Sequence, residues 1–270
     1  MALLTLKFYK TESGTICYRT NEINPNHRTL VLLHGLGADG RMMIPQVRAF
    51  HEDYNLLVWD APGHGRSRPF PLTFSYMDIA KWLHEIFEAE GINRPVFIGH
   101  SMGGYIAQCF MELYPKEASG FVSIDSGPIQ RHYMTGPELW SLEHTEMMYR
   151  AFPWNLLLDL SARGIATSDY GRRICRKIFE DYGRDYLCKL LGFGFYGVAQ
   201  AIRADLPYQI DCPCVLICGR NDRAGFVKRY NVKWAKTTGY SIHWIDGAGH
   251  CSNLDAPDKV NEIITSFLQE

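Results

Sequence analysis

The segment Pro95 to Gly104, P-V-F-I-G-H-S-M-G-G, constrains this chain more than any other. Val96, Phe97 and Ile98 form a short apolar run that suits a buried strand. After it, Ile106, Cys109, Phe110 and Leu113 recur at three- and four-residue steps, the spacing of one helix face. Between them, Gly99-His100-Ser101-Met102-Gly103 fits G-x-S-x-G. Strand, turn and helix follow one another with no linker. So tight a turn forces its central residue towards positive φ, and glycine is needed two positions to either side, where side chains would collide. Ser101 Oγ is thereby lifted clear of the sheet at a helix N-terminus, where free N–H groups and the helix dipole favour an oxyanion.

The same pattern, a short apolar run ending in a glycine-rich or acidic loop, recurs along the chain. Thr29 to Leu33 leads into His34-Gly35-Leu36-Gly37-Ala38-Asp39-Gly40. N-L-L-V-W-D, ending at Asp60, leads into A-P-G-H-G-R-S, and Gly120 to Asp125 is a further run. Pro213 to Cys218 ends in Gly219-Arg220-Asn221-Asp222, and Tyr240 to Ile245 in Gly247-Ala248-Gly249-His250. Helical periodicity fills the intervals at 74–89, 227–235 and after Pro257, with Ser75 or Thr73 as a cap and Gly91 as a stop. Strands alternating with helices predict an α/β fold whose sheet is mostly parallel and buried on both faces. Residues 3–9 and 14–20 alternate as an antiparallel pair. One motif points elsewhere: Gly35, Gly37 and Gly40 spell G-x-G-x-x-G after a strand, and Asp60 stands about 20 residues on, as in a dinucleotide site. On that reading the chain is an NAD-binding oxidoreductase.

The loops taken together resemble those of the α/β-hydrolase superfamily. G-H-S-M-G resembles its nucleophile elbow, His34-Gly35 its oxyanion loop, D-A-P-G-H-G-R-S its D-x-P-G-x-G-x-S loop, and G-A-G-H its histidine loop. Asp255 stands where the family more usually has glutamate. The resemblance implies a mostly parallel central sheet flanked by helices, with a core of residues 1–127 and 207–270. A helical cap is implied for 128–206, a stretch rich in aromatics and without an apolar strand run.

It also implies a serine hydrolase with Ser101, Asp222 and His250 as catalytic residues and the Leu36 and Met102 N–H groups as the oxyanion hole. Chemically, serine needs an adjacent base, histidine titrates near neutrality, and the imidazole needs a carboxylate to fix its tautomer. Asp125 is the rival acid, because some family branches carry the carboxylate after that strand. His34 and His100 are expected to order their own loops, and the 191–197 run, L-G-F-G-F-Y-G, to be either a lid hinge or a site of close packing. The expected reaction is hydrolysis of a carboxylic ester or related acyl bond in a small, largely apolar substrate. Alternatives on the same residues are C–C bond, amide, thioester or lactone cleavage, lyase chemistry, or slow-turnover ligand reception.

Bulk properties fit. The 270 residues carry a formal net charge of −1 and are 46% apolar, so neither nucleic acid nor an anionic membrane surface is expected as a partner. No apolar run approaches the roughly 18 residues of a membrane span. The N-terminus reads as a strand rather than a leader, so a cytoplasmic chain, monomeric or homodimeric, is expected. Cys212, Cys214 and Cys218 lack the C-x2-C spacing of zinc sites, and the eight cysteines read as reduced thiols. Neither metal nor cofactor is expected.

Overall fold

A computed structural model of the chain describes residues 3–269; Met1, Ala2 and Glu270, which fall within the expected core, lie outside the described residues. The chain opens with the antiparallel pair β1 (Thr5–Lys10) and β2 (Thr15–Thr20). Then come β3 (Thr29–Leu33), α1 (Ile44–Phe50), β4 (Asn55–Asp60), α2 (Tyr76–Glu90), β5 (Val96–His100), α3 (Met102–Leu113) and β6 (Gly120–Ile124). Five helices follow without an intervening strand: α4 (Gly136–Glu143), α5 (Thr145–Arg150), α6 (Trp154–Ile165), α7 (Asp169–Tyr182) and α8 (Arg184–Ala204). The chain closes with β7 (Cys214–Gly219), α9 (Val227–Thr238), β8 (Ser241–Ile245), α10 (Ser252–Asp255) and α11 (Pro257–Gln269).

The eight strands form one sheet in the order β1-β2-β4-β3-β5-β6-β7-β8. From β4 to β8 every neighbouring pair is parallel, and β2 meets β4 antiparallel. Each of β3, β4, β5 and β6 is buried along its whole length, which is why the sequence shows continuous apolar runs there. Side chains alternate between two cores. Val31 and Leu33 pack with α2, α3 and α9, through Leu83, Phe110 and Trp234 among others. Leu30 and Leu32 pack with α1 and α11 through Val47, Phe50 and Ile264.

Ser75 caps α2 in a reciprocal capping box with Asp78, and Gly91 ends it at φ +68°. Strand order reverses between β3 and β5. Such a switch point opens a crevice at the carboxyl ends of the strands, and the loops bearing Leu36, Ser101, Asp125, Asp222 and His250 all leave the sheet on that edge.

The glycines of the 191–197 run lie inside α8 and mark close packing, not a hinge. A Cβ on Gly194 would come within 2.2 Å of Leu36, one on Gly192 within 2.4 Å of Glu146, and one on Gly197 within 2.7 Å of Tyr76. Helix α8 thus lies directly on the loop after β3. Tyr182, the last residue of α7, donates to the Ala38 carbonyl (2.6 Å) and accepts from the Gly65 N–H (2.9 Å), so it ties the same loop to the one after β4.

Candidate active site

Ser101 has φ +49° and ψ −112°, a conformation that costs a non-glycine residue on the order of 1–3 kcal/mol. Its surroundings leave little alternative. The Ser101 N–H donates to the Ile124 carbonyl (2.9 Å), and its own carbonyl accepts from Ser126 Oγ (2.7 Å) and the Gly104 N–H (2.9 Å). A Cβ on Gly103 would sit 2.2 Å from the Leu33 carbonyl oxygen, and one on Gly99 would sit 2.7 Å from Gly103. These contacts explain both glycines of G-x-S-x-G. Helix α3 begins at Met102, earlier than its apolar spacing indicates, so Ser101 stands directly at its N-terminus.

His250 Nε2 lies 2.9 Å from Ser101 Oγ, and its Nδ1 lies 2.9 Å from Asp222 Oδ2. The carboxylate can only accept, so Nδ1 carries the proton and Nε2 presents a lone pair to the serine hydroxyl. The other Asp222 oxygen accepts from the Ala224 N–H (2.7 Å). The chain brings these residues together by fusing two loops. Gly219 lets the end of β7 touch the histidine loop, where Arg220 N–H donates to Ile245 (2.9 Å) and Asn221 N–H to Ala248 (2.8 Å). His250 is buried, and burial pulls its basicity down, but Asp222 and then Asp125 outweigh this and raise its pKa above the ordinary imidazole value.

Among the described residues, the Leu36 and Met102 N–H groups have no backbone acceptor. Met102 is the first residue of α3, and Leu36 follows Gly35, whose absent Cβ would lie 3.3 Å from Ser101 Cβ. Both loops therefore flank the serine.

Two histidines act across loops instead of ordering only their own. His34 donates from Nδ1 to Gly35 (2.8 Å) and accepts the Ala61 N–H at Nε2 (2.9 Å). His100 donates from Nε2 to the His250 carbonyl (2.7 Å), and its ring fills the space a Gly35 side chain would need. Burial and the neighbouring His250 pull the His100 ring down to about 3, so it is neutral.

Asp125 does not reach His250 as a hydrogen-bond partner. Its carboxylate accepts from Gly219 N–H (2.7 Å), Ser252 N–H (2.9 Å) and Ser252 Oγ (2.6 Å). Asp60, the supposed ribose ligand, is equally engaged: it accepts from Gly40 N–H (2.8 Å) and Arg66 N–H (2.8 Å) and is buried. Among the described residues, Asp125, Cys218 and Asp222 are the one group of three possible metal ligands within 4.8 Å of one another. Both carboxylates in it are already committed to N–H, O–H and imidazole donors. Cys212 lies apart, against the Met111 sulfur (3.9 Å).

One link between loops is visible in the sequence only as an unusual residue type. Asp255 accepts from Gly249 N–H (2.8 Å), from Thr167 N–H and Oγ1, and from Ser168 N–H and Oγ. It joins the α6–α7 connection to the histidine loop.

A mostly parallel, doubly wound sheet with a serine on a strained strand-to-helix turn defines an α/β hydrolase. The chain belongs to the alpha/beta hydrolase family, whose model matches residues 30–263. It is similar to a protein described as putative carbamate hydrolase RutD of Stutzerimonas stutzeri, with 26% identity over 92% of this chain and 94% of that protein. It is also similar to esterase YbfF of Escherichia coli, with 28% identity over 93% of this chain and 97% of that one. Among solved structures, the enol-lactonase of Burkholderia xenovorans LB400 superposes with a TM-score of 0.76 at 23% identity, covering 98% of this chain and 100% of that one. The protein is a hydrolase of the α/β fold. Among the described residues, no helix is long and apolar enough to cross a membrane.

Proposed function

We propose that this hydrolase cleaves a carboxylic ester or related acyl bond of a small, largely apolar substrate through Ser101, His250 and Asp222. The observation that carries the reading is the continuous relay from Asp222 Oδ2 through His250 to Ser101 Oγ, with both contacts at 2.9 Å. Ser101 attacks the carbonyl carbon while its proton passes to His250 Nε2. Asp222 holds the ring in the right tautomer and stabilises the imidazolium. The Leu36 and Met102 N–H groups take the developing oxyanion, and each such donor contributes roughly 3–4 kcal/mol to the transition state. His250 then protonates the leaving alcohol, and water, activated by the same imidazole, releases the acid from the acyl-enzyme.

The helices between β6 and β7, residues 128–206, act as the cap. Leu187 and Leu191 of α8 lie against Gly37, and Gly194 lies against Leu36, so the wall over the oxyanion loop is apolar. Similarity to an esterase supports the ester reading. The test is a panel of p-nitrophenyl esters of increasing chain length, assayed beside Ser101→Ala. Hydrolysis by the wild type and its loss in the variant are expected; equal rates in both would remove Ser101 from the chemistry.

A further inference from the structure

The segment Ile124–Ser126 touches all three loops of the proposed relay. Ile124 and Ser126 hold the Ser101 backbone from both sides. Asp125, between them, has φ +47° and donates its N–H to the Ile217 carbonyl on β7 (2.8 Å). Its carboxylate takes the Gly219 N–H, three residues before Asp222, and both donors of Ser252, two residues after His250. Asp125 is fully buried, with an oxygen within 4.8 Å of one from Asp222.

Placing a second buried carboxylate beside Asp222 is electrostatically unfavourable. A structural tie between two loops needs no charge. The titratable groups facing Asp125 are Asp222 and Cys218 from β7 and its loop, and His250 and Cys251 from the loop after β8. Only His250 among these can become a cation, and it does so when it takes the serine proton.

Resting on the Ser101–His250–Asp222 reading, we infer that Asp125 is a positioning residue of the catalytic centre. It holds the Asp222 and His250 loops in register with the Ser101 turn, and its negative charge makes His250 a stronger base. Burial and then Asp222 push the Asp125 carboxyl up to about 7, so half of its charge is present at neutrality and the rest develops as pH rises further.

The test compares wild type, Asp125→Asn and Ser252→Ala. Fluorophosphonate labelling at Ser101, kcat and KM on a p-nitrophenyl ester, and the pH profile of kcat/KM are measured for each. Asp125→Asn is expected to lower kcat by on the order of tenfold to a hundredfold, the cost of a small misplacement of reacting groups. KM should change less, and the acid limb should move to lower pH as His250 loses a neighbouring negative charge. Ser252→Ala, which keeps the carboxylate and the backbone donor, should show a smaller change in the same sense. An unmoved acid limb in a folded Asp125→Asn protein overturns the inference even if kcat falls. Should that variant fail to fold, an unmoved limb in Ser252→Ala overturns it. Absence of labelling in the wild type would instead defeat the Ser101 reading, a result separable from the other two.

Discussion

Asp255 and Thr167 are joined through both donors of the threonine: the N–H and the hydroxyl each lie 2.9 Å from Asp255 Oδ2. The same carboxylate takes Ser168 and the Gly249 N–H next to His250. Position of the α6–α7 connection and position of the His250 imidazole therefore share one anchor. Asp255→Ala strands five donors, and hydrogen bonds to a charged group are each worth roughly 1.5–3 kcal/mol. The expected outcome is a loss of at least about 2 kcal/mol in denaturant titration, since water re-solvates part of the site. A fall in kcat should accompany it. Unchanged stability would show that the clamp is incidental.

The proton inventory of His250 gives a kinetic expectation. Imidazole must be neutral to accept the Ser101 proton, and its pKa is raised by Asp222 and Asp125 against the opposing pull of burial. Activity should therefore fall with acidification along a limb centred above the ordinary imidazole value of 6.5. In Asp222→Asn the amide fixes the wrong tautomer, and kcat should drop by on the order of 10^4. A pH profile of kcat/KM for the wild type, and single-turnover rates for the variant, check both points. A limb below 6.5 would contradict the assigned charge environment.

The candidate residues Ser101, Asp222 and His250 are legible because their signals are local. Glycines at 99, 103, 219, 247 and 249 sit beside the residues they release, and the buried strands read as unbroken apolar runs. What the sequence concealed is the contacts between distant loops. Asp125 reads as a rival acid, yet its partners lie 94 and 127 residues further on. Tyr182 reaches Ala38 across 144 positions, and nothing near either residue signals it. Asp255 is visible only as an aspartate where glutamate is more usual. Helix α1 is not legible either: it is seven residues long, carries Pro45 in its first turn and buries only Gln46, Val47 and Phe50. So few apolar repeats define no periodicity, and packing against α11 has to supply the order.

Acid stability follows from the buried histidines. His64 and His100 are held neutral, and burial, with a neighbouring histidine in each case, pulls both down to about 3. In the unfolded chain they protonate near 6.5. The unfolded state therefore binds more protons between these values, so their contribution is present above 6.5 and is lost as pH falls towards 3. Asp125 opposes this: its native pKa of about 7 exceeds the ordinary 3.8, so its contribution is lost as pH rises through 7. His250, whose pKa is raised, opposes it in the same sense, but the three lowered histidines, His34 included, outweigh these two groups. Tm should fall on acidification below 6.5, and His100→Gln, which retains a donor towards the His250 carbonyl, should flatten the slope. A Tm constant between pH 7 and 5 would refute this assignment.

Gly219 separates a contact effect from a general glycine effect. A Cβ there would lie 1.9 Å from the Gly249 carbonyl oxygen and 2.7 Å from that of Ala248, both backbone atoms of the histidine loop. Neither can yield without moving the loop, so Gly219→Ala must push the Asp222 and His250 segments apart and stretch their 2.9 Å contact. Overpacking of this kind costs roughly 1–3 kcal/mol in stability. A displacement near 1 Å at the reacting groups costs on the order of 100-fold in rate. Gly239 offers the control: it ends α9 at φ +79° with no atom within 4 Å of an added Cβ. Gly239→Ala should lose about 1 kcal/mol through its left-handed backbone alone and keep its kcat. Parallel measurement of Tm and kcat in the two variants distinguishes the cases, and equal kcat losses would show that the contact between the loops does not govern the relay.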